Sequence, residues 1–220
     1  GEACTEEVLI LWRKYHLLNA YGPTETTIFT VAADHPPESY HSHADIGLPL
    51  ANVKVYILDE NLQLVGIGQE GQLYIGGVCL GGGYENKKQL TDEKFIPNPF
   101  ISGERIYATG DLVRFLVNER KELSIEYLDR IDTMVKVNGL RINLAGIEAI
   151  LEKHPRVKEA AVAIKQVGVN GHKQLVAYVI QSKELQLIDE PLTTEGLQCY
   201  LSRILPHYEI PVIFYDLDDL

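Results

Sequence analysis

Between residues 45 and 128 the chain is a succession of short apolar runs separated by glycine-bearing turns, and this stretch constrains the fold more than any other. Val53, Val55 and Ile57 alternate with polar residues, the pattern of a half-buried strand. Leu73 and Ile75 follow Gly71, and residues 106–116 and 123–128 read as further strands. Strands this short, with turn signals between them, predict a small β-barrel or sandwich. After Asp132 the pattern changes. Residues 134–137, 157–165, 174–180 and 212–215 read as strands, and 145–154 and 193–205 as helices. That mixture suits a small α+β domain. The expected division is therefore 1–131, with the barrel at about 45–128, and 132–220.

Ahead of the barrel, residues 5–16 read as a helix. Thr5 is placed to cap it, Glu6 and Glu7 complement its dipole, and Val8, Leu11, Trp12 and Tyr15 recur at helical spacing. Residues 17–20 read as a short buried strand ending at the Gly22-Pro23 turn, and 26–32 as another strand. Residues 34–44 form a polar loop. Its His41 and His43 stand among prolines and serines, so they read as solvated rather than as metal ligands.

Composition narrows the function classes. The 220 residues carry a net charge of -11, which argues against a nucleic-acid partner. No apolar run approaches the length needed to span a bilayer, so no membrane partner is expected. Cys4, Cys79 and Cys199 are odd in number and far apart, with no paired spacing. Buried free thiols in a cytoplasmic protein are the expected reading.

The segment NAYGPTETT, residues 19–27, holds the chemistry. Its Gly-Pro turn presents the Thr24 hydroxyl to a phosphate and the Glu25 carboxylate to a hard cation such as Mg²⁺, which takes few protein oxygens. Tyr21 offers an aromatic face to a base. On its own such a segment is only a turn. Asp111, in a Thr-Gly-Asp turn at a strand end, could accept two ribose hydroxyls or simply cap its own turn. Tyr127 is either a stacking aromatic or a core aromatic of the barrel. Arg130 is either an anion contact or a surface ion pair with Asp129 or Asp132. The run GGVCLGGGY, residues 76–84, has five glycines but lacks the Lys-Ser/Thr ending of a phosphate loop. Close backbone packing accounts for it better.

Taken in order, NAYGPTETT, GQLYIGG (71–77), YATGDL (107–112) and DRIDTMVKVNGLRINLAGIE (129–148) resemble the core motifs of the adenylate-forming superfamily. The stretch IGLPLANVKVYILDENLQLVGIGQEGQLYIGG narrows the resemblance to amino-acid adenylation domains of nonribosomal peptide synthetases. The resemblance implies a mixed α/β and α+β fold. It comprises the end of the large adenylate-forming domain with its small barrel, then a small mobile C-terminal domain.

It also implies an enzyme that uses ATP and Mg²⁺ to convert an amino acid to aminoacyl-adenylate. The acyl group would then pass to the phosphopantetheine thiol of a peptidyl carrier protein. By resemblance Thr24 and Glu25 are catalytic, with Glu25 on the metal. Asn19, Ala20, Tyr21, Gly22, Asp111, Tyr127 and Arg130 hold the nucleotide. Ala20, Ile28 and Phe29 line part of the amino-acid pocket, with Phe29 narrowing it. Asp132 is the hinge, and Asn138 and Gly139 lie on the pantetheine path. The chain departs from the family at Gly81-Gly82, where Ala-Arg is usual, and at Asp129, where Gly is usual. It departs again at Asn138 (Arg), Asn143 (Glu) and Ala145-Gly146 (Gly-Glu).

Two other readings are a free-standing ligase for another carboxylic acid and a non-catalytic module binding nucleotide or carrier protein. The family's phosphate loop and its terminal Asn-Gly-Lys lysine have no match in these residues, and most residues that choose the amino acid are expected upstream, in the rest of the parent synthetase. The 220 residues alone are therefore expected not to form adenylate. Amino-acid-dependent exchange of labelled pyrophosphate into ATP by the purified chain, above a boiled control, overturns that expectation.

Overall fold

The computed structural model describes Cys4 and residues 6–37, 45–117, 121–132, 134–137, 139–167, 172–182 and 192–217. Its contacts group the chain into two units, Ala3–Asp132 and Thr133–Leu220. Both are α/β in content, with sheet predominating.

The first unit begins with helix α1 (Glu6–Trp12) and continues as β1 (Leu17–Tyr21), β2 (Val31–His35), β3 (Asp45–Pro49), β4 (Val53–Leu58) and β5 (Glu70–Gly77). Helix α2 (Lys88–Lys94), β6 (Phe95–Pro97), β7 (Arg105–Val117) and β8 (Leu123–Arg130) complete it. The eight strands form one sheet in the order β1-β2-β3-β8-β7-β5-β4, with β6 beside β7. Among the described residues this hydrogen-bonded path has two ends. The strands of 45–128, expected as a small barrel, are thus the larger part of a sheet that continues into β2 and β1. Val31, Ile57, Leu73, Ile75, Val113 and Ile125 are fully buried in its core.

Several expectations change here. The strand expected over 26–32 starts only at Val31, because Thr24–Thr26 is a 3₁₀ turn and Thr27 and Ile28 take left-handed φ of 61° and 67°. Those angles reverse the chain, so that β2 returns antiparallel along β1 with Tyr21 opposite Val31. The apolar residues that recur at helical spacing in α1 are largely outside. Leu9 is buried, whereas Leu11, Trp12 and Tyr15 are exposed. The helix stops at Trp12, where Tyr15 N–H returns to Trp12 C=O at 2.8 Å. β1 is not a buried strand either. It alternates, and only Tyr21 is fully covered.

The second unit contains the hairpin β9 (Met134–Val137) and β10 (Leu140–Asn143), then α3 (Leu144–Leu151), β11 (Val157–Val167), β12 (His172–Gln181), α4 (Thr194–Ser202) and β13 (Ile213–Leu217). β12 pairs antiparallel with β11 and parallel with β13. Ile142, Ile147, Leu151, Val162, Leu175, Leu197 and Leu201 form its core. Both helices are capped at their N-termini by side chains. Asn143 Oδ1 accepts from Gly146 N–H, and Thr193 Oγ1 from Gly196 N–H, each at 3.1 Å. Capping gives Asn143 a structural role at the start of α3. Glu148 Oε1 accepts from Val162 N–H at 2.8 Å, tying α3 to β11. The thiols differ from expectation, since Cys199 is exposed and Cys4 and Cys79 are only partly covered.

Candidate functional site

The site grows from a single turn in β7. Gly110, at φ +73°, lets the strand carry Asp111 inward beside the end of β8, where Asp111 pairs with Arg130 in register. Thr109 holds the turn from both sides. Its hydroxyl donates to Leu73 C=O at 2.7 Å and accepts from Asp111 N–H at 3.0 Å. Asp111 is only 3% exposed. Its Oδ2 accepts from the Tyr21 hydroxyl and its Oδ1 from Arg130 Nη1 at 2.7 Å. The same guanidinium reaches Thr109 C=O at 3.0 Å and grips Asp132 through Nε at 2.9 Å and Nη2 at 2.7 Å. Tyr21, Asp111, Arg130 and Asp132, separated by up to 111 positions in sequence, thus form one connected group.

Burial and charge set the protonation of this group. Burial, reinforced by the Asp111 charge, pushes the Tyr21 phenol well above its ordinary pKa. Burial first, and Asp111 second, push Tyr127 up to about 12. Burial alone would lower Arg130, but its hydrogen bonds to Asp132 and Asp111 hold it above the ordinary value. Both phenols are therefore neutral at working pH, and Arg130 is a permanent cation. A carboxylate offers about four lone-pair directions. Asp111 therefore keeps acceptor capacity for incoming hydroxyls beside Tyr21 and Arg130.

Several expected residues take different parts. Tyr21 is a buried donor to Asp111, packed in the sheet core, rather than an open aromatic face. Tyr127 is half-buried and packs against that same core. Asp129 does not compete for the guanidinium; its Oδ1 accepts from Arg130 backbone N–H at 2.7 Å. Asn19 Nδ2 donates to Asp45 C=O at 2.6 Å, and the buried Asp45 carboxylate in turn accepts from Ser124 and from Gly47 N–H. Sequence reasoning had no signal for Asp45 or Ser124, which meet across 79 positions.

Gly22 packs with no room for a side chain, since a Cβ would lie 2.5 Å from Phe29 Cα. Ala20, Ile28 and Phe29 are exposed. Thr24 is exposed on the 3₁₀ turn, and Glu25, beside it, is half-buried and accepts from the Tyr84 hydroxyl at 2.6 Å. Tyr84 was missed, and only its place at the end of the glycine run hinted at it. Gly139 lies in the β9–β10 turn at φ +79°. Asn138, Thr5, His41 and His43 lie outside the described residues.

Among the described residues no three His, Cys, Asp or Glu side chains converge to hold a metal. One half-buried carboxylate beside a hydroxyl does suit Mg²⁺, which is commonly bound by one or two carboxylates with phosphate oxygens and water. The donor set fits an ion that arrives with a polyphosphate, not a resident one.

The Gly110 turn is directly testable. A Cβ there would lie 2.6 Å from Asp132 Oδ2 and 2.8 Å from Arg130 Nη2. Gly110→Ala should cost at least the roughly 1–2 kcal/mol of a left-handed non-glycine residue, with a matching fall in the urea midpoint. An unchanged midpoint would mean that neither the left-handed φ nor the crowding against Arg130 and Asp132 costs stability.

Residues 1–85 match the family model described as AMP-binding enzyme. Bacitracin synthase 1 of Bacillus licheniformis is 43% identical over 208 residues, covering 94% of this chain and 4% of that protein. Gramicidin S synthase 1 of Brevibacillus brevis is 39% identical over 224 residues, covering 100% of this chain and 19% of that protein. The chain thus spans a small part of the curated relatives it matches. A solved structure described as an NRPS protein containing adenylation and PCP domains superposes with a TM-score of 0.76 at 27% identity, over 97% of this chain and 40% of that one. Motif order, fold and whole-length homology agree: the chain belongs to the AMP-binding enzymes, as a relative of the adenylation segments of nonribosomal peptide synthetases.

Proposed function

We propose that this chain is part of an ATP-dependent ligase that activates an amino acid as aminoacyl-adenylate and loads it onto the phosphopantetheine thiol of a carrier protein. The observation that carries the reading is Asp111, a buried carboxylate at a strand end, fixed by Tyr21 and Arg130 and still able to accept hydrogen bonds. In this role Asp111 receives the ribose hydroxyls. Tyr127 flanks the adenine, and Tyr21 acts through Asp111. Asn19 spends its amide N–H on Asp45, so its amide oxygen is the group that suits the exocyclic amino group of adenine. Ala20 and Gly22 bring backbone close to the base.

The Thr24 hydroxyl and the Glu25 carboxylate stand on the phosphate side. Mg²⁺, when bound, would neutralise phosphate charge beside Glu25. The protein's part in the reaction is to hold the carboxylate of the amino acid against the α-phosphate and to exclude misaligned encounters. Ala20, Ile28 and Phe29 contribute to the amino-acid pocket. The likeness to an adenylation–PCP protein supports the carrier partner.

Asp111→Ala in the full-length polypeptide should raise KM for ATP about ten- to a hundredfold, the loss of a charged hydrogen bond of about 1.5–3 kcal/mol, and should spare the amino acid. Pyrophosphate exchange measured against both substrates checks this. Unchanged ATP kinetics would reduce Asp111 to a turn residue.

Asp132 is proposed as the hinge between the two half-reactions, with Asn138 and Gly139 on the pantetheine path used in the second. Its carboxylate is held by Arg130 in this structure. Asp132→Ala removes that hold, whereas Asp132→Pro also locks φ near −65°. The proline variant should impair adenylation and thioester formation unequally, and far more than the alanine variant does. Equal losses in both assays, with a normal thermal melt, would move the hinge elsewhere.

A further inference from the structure

The glycine-rich run 76–84 touches the Thr24–Glu25 turn at three points. Gly81 N–H donates to Glu25 C=O at 2.8 Å. The Thr27 hydroxyl donates to Cys79 C=O at 2.8 Å. The Tyr84 hydroxyl donates to Glu25 Oε1 at 2.6 Å. These bonds span 52 to 59 positions in sequence, so they join two separate loops rather than closing one turn. The approach needs a small residue, because a Cβ on Gly81 would already sit 3.1 Å from Glu25 C=O.

Tyr84 is itself held from several sides. Its backbone N–H donates to Thr91 Oγ1 at 2.8 Å. Its ring meets Phe95 edge-on at 5.8 Å, and Phe95 packs on Tyr107 at 5.0 Å. Tyr107 is fully buried, and its hydroxyl lies 3.5 Å from that of Tyr84. Arg105 stacks over Phe95 at 5.4 Å. The phenol is thus set by the sheet through Phe95 of β6 and Tyr107 of β7.

We infer that Tyr84 is a positioning residue for Glu25, and that the glycine run is a brace that fixes the carboxylate where a cation accompanying the nucleotide would be met. Two observations support this. The bond reaches one named oxygen, so it fixes the rotation of the carboxylate as well as its place. Gly81 N–H holds the carbonyl of the same residue, and the Thr27 hydroxyl ties the chain two residues on to Cys79, so both ends of the Glu25 side chain are defined. A carboxylate held in this way loses less conformational freedom when it meets a cation.

The inference rests on the proposed adenylation reading, because that reading places the cation at Glu25. Tyr84→Phe keeps the ring against Phe95 and removes only the hydroxyl. In the full-length polypeptide it should raise the Mg²⁺ concentration for half-maximal pyrophosphate exchange by about tenfold or more, the range in which loss of an outer hydrogen-bonding partner weakens a metal site. KM for the amino acid and the melting temperature should hardly change. In a Glu25→Gln background the same change should add little further loss.

A second readout is independent of turnover. Binding of Mn²⁺ in the presence of ATP, followed by loss of the free-ion electron paramagnetic resonance signal, should weaken by the same factor in Tyr84→Phe. Exchange with an unaltered Mg²⁺ requirement overturns the positioning role. Wild-type protein that binds Mn²⁺ with ATP but shows no amino-acid-dependent exchange overturns the adenylation reading, and the Mn²⁺ affinities of the two proteins then judge Tyr84 alone. Failure of wild type to bind Mn²⁺ with ATP overturns both.

Discussion

Everything at the candidate site hangs on the Arg130 guanidinium. One planar fork holds Asp111, Asp132 and a backbone carbonyl at once, and so fixes the end of β8 against the Gly110 turn of β7. Such a group is costly to break from one side, since removing one partner leaves a buried charge uncompensated. It also spends the donors of Arg130 inside the protein. A direct contact from Arg130 to a bound nucleotide would require exchanging one of these bonds, whereas Asp111 can accept more without giving any up.

The architecture supports that arrangement with small, local devices. Gly110 supplies the left-handed turn and the empty space beside Asp132. Thr109 locks the turn to β5 through Leu73. Asn19, Asp45 and Ser124 tie β1 to β3 and β8, so that the strand leading to Tyr21 is anchored before the Gly-Pro turn begins. In the second unit, side-chain caps from Asn143 and Thr193 start the two helices whose inner faces fill the core.

The strands around Ile57, Leu73, Ile75 and Ile125 were legible because period-two alternation reports burial on one face directly. The α3 and α4 segments were also legible as helices. Periodicity says that a face is apolar but not what covers it, and Leu11, Trp12 and Tyr15 are exposed. The late start of β2 was hidden because Thr27 and Ile28 look like strand residues, yet they adopt a conformation their branched side chains disfavour. At the site, local motifs singled out Asp111, Arg130 and Glu25 as candidates. The bonds joining Tyr21 to Asp111, Tyr84 to Glu25, and Asn19 to Asp45 depend on chain segments that only folding brings together.

The Arg130 group has a further property, its sign. Asp111, Asp132 and the neighbouring Asp129 carry three negative charges against the single positive charge of Arg130. The local surplus is negative, and like charges repel strongly where solvent is thin. A triphosphate brought against these residues would be pushed away, while neutral hydroxyls of a sugar would be drawn to the carboxylate. In the proposed role, the field around this cluster would favour the sugar end of a nucleotide over its phosphates.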